Sequence, residues 1–105
     1  RICNDGAKML NVNLEFSHDM INHDNNYVGE KYGATTEQGI NAMKLLAKKE
    51  GIILDPVYTS KGFAALIDYV EKGIIKKGEK VIFMFTGGSP AVFAYNEEIT
   101  NNSTL

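Results

Sequence analysis

Two polar turns, each lying where an apolar run gives way to a helix start, constrain this chain most strongly. The first covers residues 55–60 (DPVYTS), in which Asp55-Pro56 breaks the chain after an apolar run. The second covers residues 86–90 (TGGSP) and ends the apolar run Val81 to Phe85. Because α/β proteins keep their chemistry at such junctions, both turns are candidate functional segments.

The run Val81 to Phe85 has the length of a strand and is apolar throughout. Only burial on both faces makes such a strand tolerable, and helical patterns precede and follow it. The sequence therefore predicts an α/β fold with a parallel sheet. This run is the one convincing strand, although Asn11 to Phe16 also alternates like a half-buried strand. The neighbouring strands are expected from chain outside this sequence, so residues 1–105 are predicted to form a single partial domain.

Helical periodicity marks the other elements. A short helix is predicted over Ile2 to Leu10, although Gly6 weakens it. A capping-box spacing from Thr35 to Gln38 predicts a longer helix that Gly51 ends. Its apolar side carries Ile40, Met43, Leu46 and Ala47. A second amphipathic helix is predicted from about Ser60 to Lys72, with Phe63, Leu66, Ile67 and Val70 in the core. Pro90 suits the first position of a closing helix capped by Ser89, and residues 96–105 are expected to fray.

The composition narrows the class of protein. Of the 105 residues, 44% are hydrophobic and 23% are charged, which is typical of a globular protein rather than a disordered or membrane-spanning one. The net charge of -2 gives no general attraction to nucleic acid. The single cysteine, Cys3, has no partner for an internal disulfide, and we therefore expect a cytoplasmic setting without nucleic-acid or membrane partners.

Two histidines, His18 and His23, lie beside Asp19 and Asp24 in a polar loop. Their five-residue spacing matches no standard metal site, so a solvated loop is the better interpretation and no metal site is predicted.

Several motifs, in order and at matching spacing from Tyr27 to Tyr95, resemble the C-terminal part of the D-cysteine desulfhydrase and 1-aminocyclopropane-1-carboxylate (ACC) deaminase family. The segments that carry the resemblance are YVGEKYG (27–33), KLLAKKEG (44–51), LDPVYT (54–59), ALID (65–68) and TGGSPAVFAY (86–95). The resemblance implies pyridoxal phosphate as cofactor. It also implies the C-terminal portion of a three-layer α-β-α large domain of PLP fold type II, which is tryptophan-synthase-β-like.

The same resemblance implies roles for five residues. Tyr32 and Tyr58 match the family tyrosines that face the substrate, where each can bind a carboxylate or move a proton. Thr59, Thr86 and Gly87 match positions beside the cofactor. The deaminase branch has glutamate and leucine at the two threonine positions. Because a hydroxyl does not hold a full positive charge on the pyridine nitrogen, the two threonines favour desulfhydrase chemistry: β-elimination from D-cysteine to pyruvate, ammonia and hydrogen sulfide.

The family pattern is incomplete here, since nothing between Arg1 and Asn26 matches the Schiff-base lysine or the glycine-rich phosphate loop. Lys61 occupies an ordinary helix-start position and is not assigned as that lysine. We therefore expect the segment alone to be inactive, with the remainder of a parent polypeptide and a small amino-acid substrate as partners, and a homodimer in the full-length enzyme.

Two alternatives stay open, ACC deamination and a non-catalytic α/β structural or interaction fragment. From spacing alone, Tyr58-Thr59 is also consistent with a packed aromatic beside an N-cap hydroxyl, and Thr86-Gly87 with a plain turn.

Overall fold

The structure is a computed structural model that describes residues 1–101. Helices and short 3₁₀ turns make up its regular structure, and no strand is formed among these residues. In chain order the elements are α1 (Ile2–Met9), a 3₁₀ turn (His18–Met20), α2 (Glu37–Glu50), α3 (Thr59–Glu71), a 3₁₀ turn (Ser89–Phe93) and α4 (Asn96–Asn101).

The two long helices follow the sequence prediction closely. Helix α2 is capped by Thr36, whose hydroxyl accepts a 3.1 Å hydrogen bond from the Gly39 amide, so the cap lies one residue later than predicted. The helix ends at Gly51, which adopts the left-handed conformation with φ of 70°. Helix α3 begins at Thr59, one residue before the predicted start.

The core lies between α2 and α3. Its fully packed members are Ile40 and Met43 of α2 together with Leu54 of the segment that links the helices. Around them pack Leu46, Phe63, Phe83, Val92 and Ile99. Val70 was predicted to be buried, but its side chain lies at the end of α3 and is 53% exposed. The core therefore fixes the linker that carries the first polar turn.

The strand predicted at Val81 to Phe85 is not formed within residues 1–101. The segment has no strand partner among residues 1–101, and only Phe83 turns inward, where its ring meets Phe63 edge to face at 5.4 Å. A strand is stabilised by hydrogen bonds to its neighbour, and here that neighbour is missing.

The predicted strand at Asn11 to Phe16 does not form either. In place of a neighbouring strand, the Asn4 side chain binds the backbone of Phe16, accepting from its N–H at 2.7 Å and donating to its carbonyl at 3.0 Å. The α/β layering predicted from sequence is therefore absent from residues 1–101.

The closing segment differs in detail from its prediction. Pro90 lies in a 3₁₀ turn rather than an α-helix, and Gly88, not Ser89, occupies its N-cap position. Of the residues predicted to fray, Asn96–Asn101 forms helix α4, and residues 102–105 lie outside the described part of the chain. Within residues 1–101, none of the helices combines the length and apolarity that crossing a bilayer requires.

Candidate functional site

The first polar turn is organised around the carboxylate of Asp55, which is only 1% exposed. This carboxylate accepts hydrogen bonds from the backbone amides of Val57, Tyr58 and Thr59 at 2.9, 2.7 and 2.7 Å. These are amides at the start of α3 that have no partner within the helix, so Asp55 acts as the helix cap. Burial by itself raises the pKa of Asp55, but the hydrogen bonds from Thr59, Tyr58 and Val57 outweigh it and hold the pKa below its ordinary value.

Thr59 is tied to the same carboxylate by its side chain. Its hydroxyl donates to Asp55 Oδ2 at 2.5 Å and accepts from the Asp55 amide at 3.0 Å, and the residue is 5% exposed. A hydroxyl has one donor and two acceptor sites. After these two bonds, Thr59 retains one acceptor site for a ligand and no free donor.

Tyr32 and Tyr58, the two tyrosines that the family resemblance places at the substrate, lie close together. Their ring centroids are 6.1 Å apart with the planes at 60°. The neighbouring Tyr32 phenol, together with burial, raises the pKa of Tyr58 above its ordinary value. At neutral pH the Tyr58 phenol is therefore protonated and acts as a hydrogen-bond donor or an acid, not as a base.

The tyrosine pair lines a cavity of about 340 Å³. The other lining residues come from the loop before α2 and from the start of α3; they are Asp24, Tyr27, Val28, Lys31, Gly33, Val57, Lys61, Gly62 and Ala65. The cavity is large enough for a small amino acid.

The second polar turn lies against the first. A Cβ placed on Gly88 would come within 3.1 Å of the Asp55 Cβ, and the Ser89 hydroxyl donates to the Ile53 carbonyl at 2.9 Å. Thr86 is exposed, and a Cβ on Gly87, whose φ is 94°, would meet no atom within 4 Å. The turn thus leaves open space beside a hydroxyl.

The five predicted site residues fall into two adjacent groups. Tyr32 and Tyr58 line the cavity, whereas Thr59, Thr86 and Gly87 do not. Thr59 is hydrogen-bonded to Asp55, and Thr86 and Gly87 belong to the turn whose Gly88 lies against Asp55. The two groups are adjacent because Tyr58 and Thr59 are consecutive residues. From the sequence, Asp55 was predicted only to break the chain, but Asp side chains commonly accept a hydrogen bond from the backbone amide two residues on, as Asp55 does from Val57.

The two histidines form a ring pair and no ligand cluster. Their centroids are 5.7 Å apart with nearly perpendicular planes. Within residues 1–101 no group of three or more His, Cys, Asp or Glu side chains is placed to hold a metal ion.

Comparison with known proteins assigns the chain to a family. Residues 4–87 match the family of pyridoxal-phosphate dependent enzymes, and the chain belongs to that family. It is 47% identical over 73 residues to a D-cysteine desulfhydrase of Yersinia pestis (strain Pestoides F), and to the same extent to a D-cysteine desulfhydrase of Yersinia pseudotuberculosis serotype O:1b (strain IP 31758). Each match covers 70% of this chain but only 22% of the relative, so the chain spans under a quarter of the length of these curated relatives.

A solved structure supports the same assignment. The crystal structure of an ACC deaminase homologue superposes with a TM-score of 0.74 and 33% identity, covering 94% of this chain and 29% of that one. The predicted resemblance to the D-cysteine desulfhydrase and ACC deaminase family is thereby confirmed.

Proposed function

We propose that this chain is the C-terminal part of a pyridoxal-phosphate-dependent lyase that converts D-cysteine to pyruvate, ammonia and hydrogen sulfide by β-elimination. The observation that carries the proposal is the 47% identity to D-cysteine desulfhydrases over 73 residues. The tyrosine pair beside a cavity of amino-acid size supports it.

The surface of the chain supports a longer parent polypeptide. Its accessible area is 8431 Å², whereas a compact monomer of 11.6 kDa exposes about 5,800 Å². Its radius of gyration is 16.5 Å, against about 13 Å for a compact domain of this length. In the proposed three-layer α-β-α domain, Val81 to Phe85 pairs with strands from the remainder of the polypeptide. A cytoplasmic location and a homodimeric full-length enzyme complete the proposal.

The residues present fit part of the cofactor. The open space at Gly87 beside the exposed Thr86 suits the edge of a flat ring, and both Thr59 and Thr86 present neutral hydroxyls rather than a carboxylate. The bound cofactor would withdraw electrons from the α-carbon of the substrate. Neither the lysine that binds its aldehyde nor the loop that binds its phosphate is assigned to this chain, so the isolated segment is proposed to be inactive.

The tyrosines act on the substrate in this proposal. With its raised pKa, Tyr58 stays protonated and donates a hydrogen bond to the substrate carboxylate or a proton to a leaving group. Tyr32, held edge-on to Tyr58, places a second phenol beside the same cavity.

The threonines set the choice of reaction. Thr59 would present a neutral hydroxyl to the ring, because its O–H donates a hydrogen bond to Asp55, and the exposed Thr86 hydroxyl could donate a hydrogen bond to the ring nitrogen. A glutamate at position 59 would hold charge directly at the ring. Expulsion of a thiolate needs less electron withdrawal than ring opening does, so the pair favours β-elimination.

The test replaces both hydroxyls in the proposed full-length enzyme. The double variant Thr59→Glu/Thr86→Leu is expected to lower sulfide release from D-cysteine by roughly tenfold or more, the loss that follows when a positioned polar group is removed from a reacting site. Sulfide release under saturating D-cysteine measures it.

The matched control is Thr59→Ser, which keeps the hydroxyl on Asp55 and is expected to retain most activity. Comparison with this control distinguishes the loss of the Thr59 hydroxyl from the effect of placing a second carboxylate, that of the introduced glutamate, beside Asp55. Unchanged sulfide release in the double variant would remove the proposed role of the hydroxyls.

ACC deamination is the second candidate, favoured by the similarity to the ACC deaminase homologue. Ammonia release from ACC, assayed beside sulfide release from D-cysteine, distinguishes the two. Turnover of ACC alone would assign the deaminase activity instead.

A further inference from the structure

Tyr32 is not held by the packing of its own side chain. Its ring is 87% exposed and meets Tyr58 edge-on. A side chain this open keeps its position only if the backbone beneath it is fixed. The contacts of the segment Val28 to Gly33 therefore decide where the Tyr32 phenol lies.

The first contact comes from Lys61, in the first turn of α3. Its Nζ donates to the Val28 carbonyl at 2.6 Å, and the residue is 8% exposed although it carries a charge. Lysine is rarely so buried without a partner, and the hydrogen bond of an ammonium to a carbonyl is stronger than a neutral one. Lys61 therefore fixes the start of the segment to α3.

Gly29 makes this approach possible. A Cβ at this position would lie 3.3 Å from Lys61 Nζ and 2.9 Å from Thr36 Cγ2, and its φ of 84° is one that other residues rarely adopt. The absence of a side chain at Gly29 therefore lets the segment Val28 to Gly33 pack directly against Lys61.

The second contact comes from Tyr95. Its hydroxyl donates to the Gly33 carbonyl at 2.9 Å, one residue beyond Tyr32. Tyr95 follows the 3₁₀ turn Ser89–Phe93, which itself continues from the second polar turn. The contact therefore links the Thr86 turn to the segment that carries Tyr32.

We propose that Lys61 and Tyr95 are positioning residues that hold Tyr32 against Tyr58 from the two ends of its segment. The inference rests on the proposed function, since it takes the Tyr32 phenol to act on the substrate. Lys61 acts through the Val28 carbonyl and Tyr95 through the Gly33 carbonyl.

The test uses Tyr95→Phe, which deletes one oxygen atom, and Lys61→Met, which keeps the length of the chain but removes its charge, in the full-length enzyme. Each is expected to lower kcat/KM for D-cysteine by roughly ten- to a hundredfold, because small misplacements of a reacting group cost that much. Lys72→Met is the matched control. It removes the same charge from a lysine side chain that is 61% exposed and pairs with Asp68, outside the segment Val28 to Gly33 and the cavity lining, and is expected to leave kcat/KM within about threefold, the range of an ordinary surface substitution.

A second measurement does not depend on activity. In protein labelled with ¹³C at the tyrosine ring, the pKa of Tyr58 is read directly, and we expect it above the ordinary value because the Tyr32 phenol lies beside it. In Tyr95→Phe and Lys61→Met this pKa is expected to fall toward its ordinary value, while Lys72→Met leaves it raised.

The two measurements separate the possible failures. If Tyr32→Phe leaves turnover unchanged, the proposed role of Tyr32 is wrong, and the positioning inference is then judged by the Tyr58 titration alone. A Tyr58 pKa that stays raised in Tyr95→Phe overturns the positioning role of Tyr95. Tyr95→Phe carries the test if Lys61→Met does not fold.

Discussion

A single buried carboxylate organises the candidate site at the level of residues. Asp55 receives three amide hydrogen bonds and one hydroxyl hydrogen bond, so it starts α3 and fixes Thr59 at the same time. The same interactions make its charged form the stable one in the folded state, since the pKa is lowered. Structure and site therefore depend on one side chain, and replacing it would disturb both.

A second carboxylate, Asp68, accepts hydrogen bonds from the Tyr27 hydroxyl and from Lys72 Nζ. The bond from Tyr27 to Asp68, with burial and the charge of Asp68, raises the pKa of Tyr27 to about 12. The folded pKa is thus above the unfolded one. The contribution of this bond to stability is fully present below about pH 10 and is lost as the pH rises through about 12.

We expect the difference between the phenol titrations of the wild-type protein and Tyr27→Phe to be centred at about pH 12. The ultraviolet absorbance of phenolate measures it. In Asp68→Asn, which keeps the shape but removes the charge, the Tyr27 transition should move toward pH 10. A difference curve centred near pH 10 in the wild-type protein would mean that the Tyr27 to Asp68 contact is absent.

At the level of elements, the fit of α2 against α3 depends on a close approach at Gly39. A Cβ there would lie 2.9 Å from the Thr36 hydroxyl and 3.2 Å from the hydroxyl of Ser60. Ser60 is fully buried, and its hydroxyl has no hydrogen-bond partner among residues 1–101. Any side chain at Gly39 therefore displaces the cap of α2 or pushes α3 away.

Gly39→Ala is expected to lower the free energy of unfolding by about 1–3 kcal/mol. The higher helix propensity of alanine contributes about 1 kcal/mol in its favour, but overpacking costs about 1–3 kcal/mol and a lost cap about 1 kcal/mol. The urea midpoint of the full-length enzyme measures the change.

Gly6→Ala is the matched control, because a Cβ at Gly6 in α1 would meet no atom within 4 Å. It should be neutral or stabilising by up to about 1 kcal/mol. If Gly39→Ala also stabilised the protein, the interface between α2 and α3 would have space for a methyl group at position 39, and the proposed close approach would be wrong.

At the level of the whole molecule, the described residues leave many large apolar side chains exposed. Large apolar side chains such as Ile2, Met9, Ile82, Met84 and Phe93 are more than 70% exposed, whereas the buried core cluster contains Ile40, Met43 and Leu54. Such a surface is stable only when something covers it. The proposed remainder of the polypeptide is that cover.

The isolated segment of 105 residues is therefore expected to bind the dye ANS strongly, to lack a cooperative thermal transition and to release no sulfide from D-cysteine. The full-length enzyme, at the same molar concentration, should bind little dye and unfold cooperatively. Fluorescence and calorimetry make the comparison. Cooperative unfolding of the segment, together with turnover, would contradict the fragment proposal.

Much of this molecule was readable from local patterns. The caps and apolar faces of α2 and α3 are specified by residues in or next to each helix. Their bounds were therefore predicted to within about two residues, the usual limit for element boundaries. The family motifs pointed to Tyr32 and Tyr58, and the structure brings these two rings together.

The predicted strands are not formed among residues 1–101, because strand pairing depends on contacts between segments that are distant in sequence. Val81 to Phe85 has the right composition, but a strand exists only beside a partner, and none lies within residues 1–101. Lys61 and Tyr95 were missed for the same reason, since each binds a carbonyl more than 30 residues away.

The sequence by itself determined the two long helices, the two polar turns and the family, because caps, periodicity and motifs act over short distances. Only the tertiary structure decided that the Thr59 hydroxyl donates a hydrogen bond to Asp55, that the second turn lies on the first, and that Tyr32 is held through its backbone. These depend on contacts between distant segments, and no local pattern specifies which distant segment a side chain will meet.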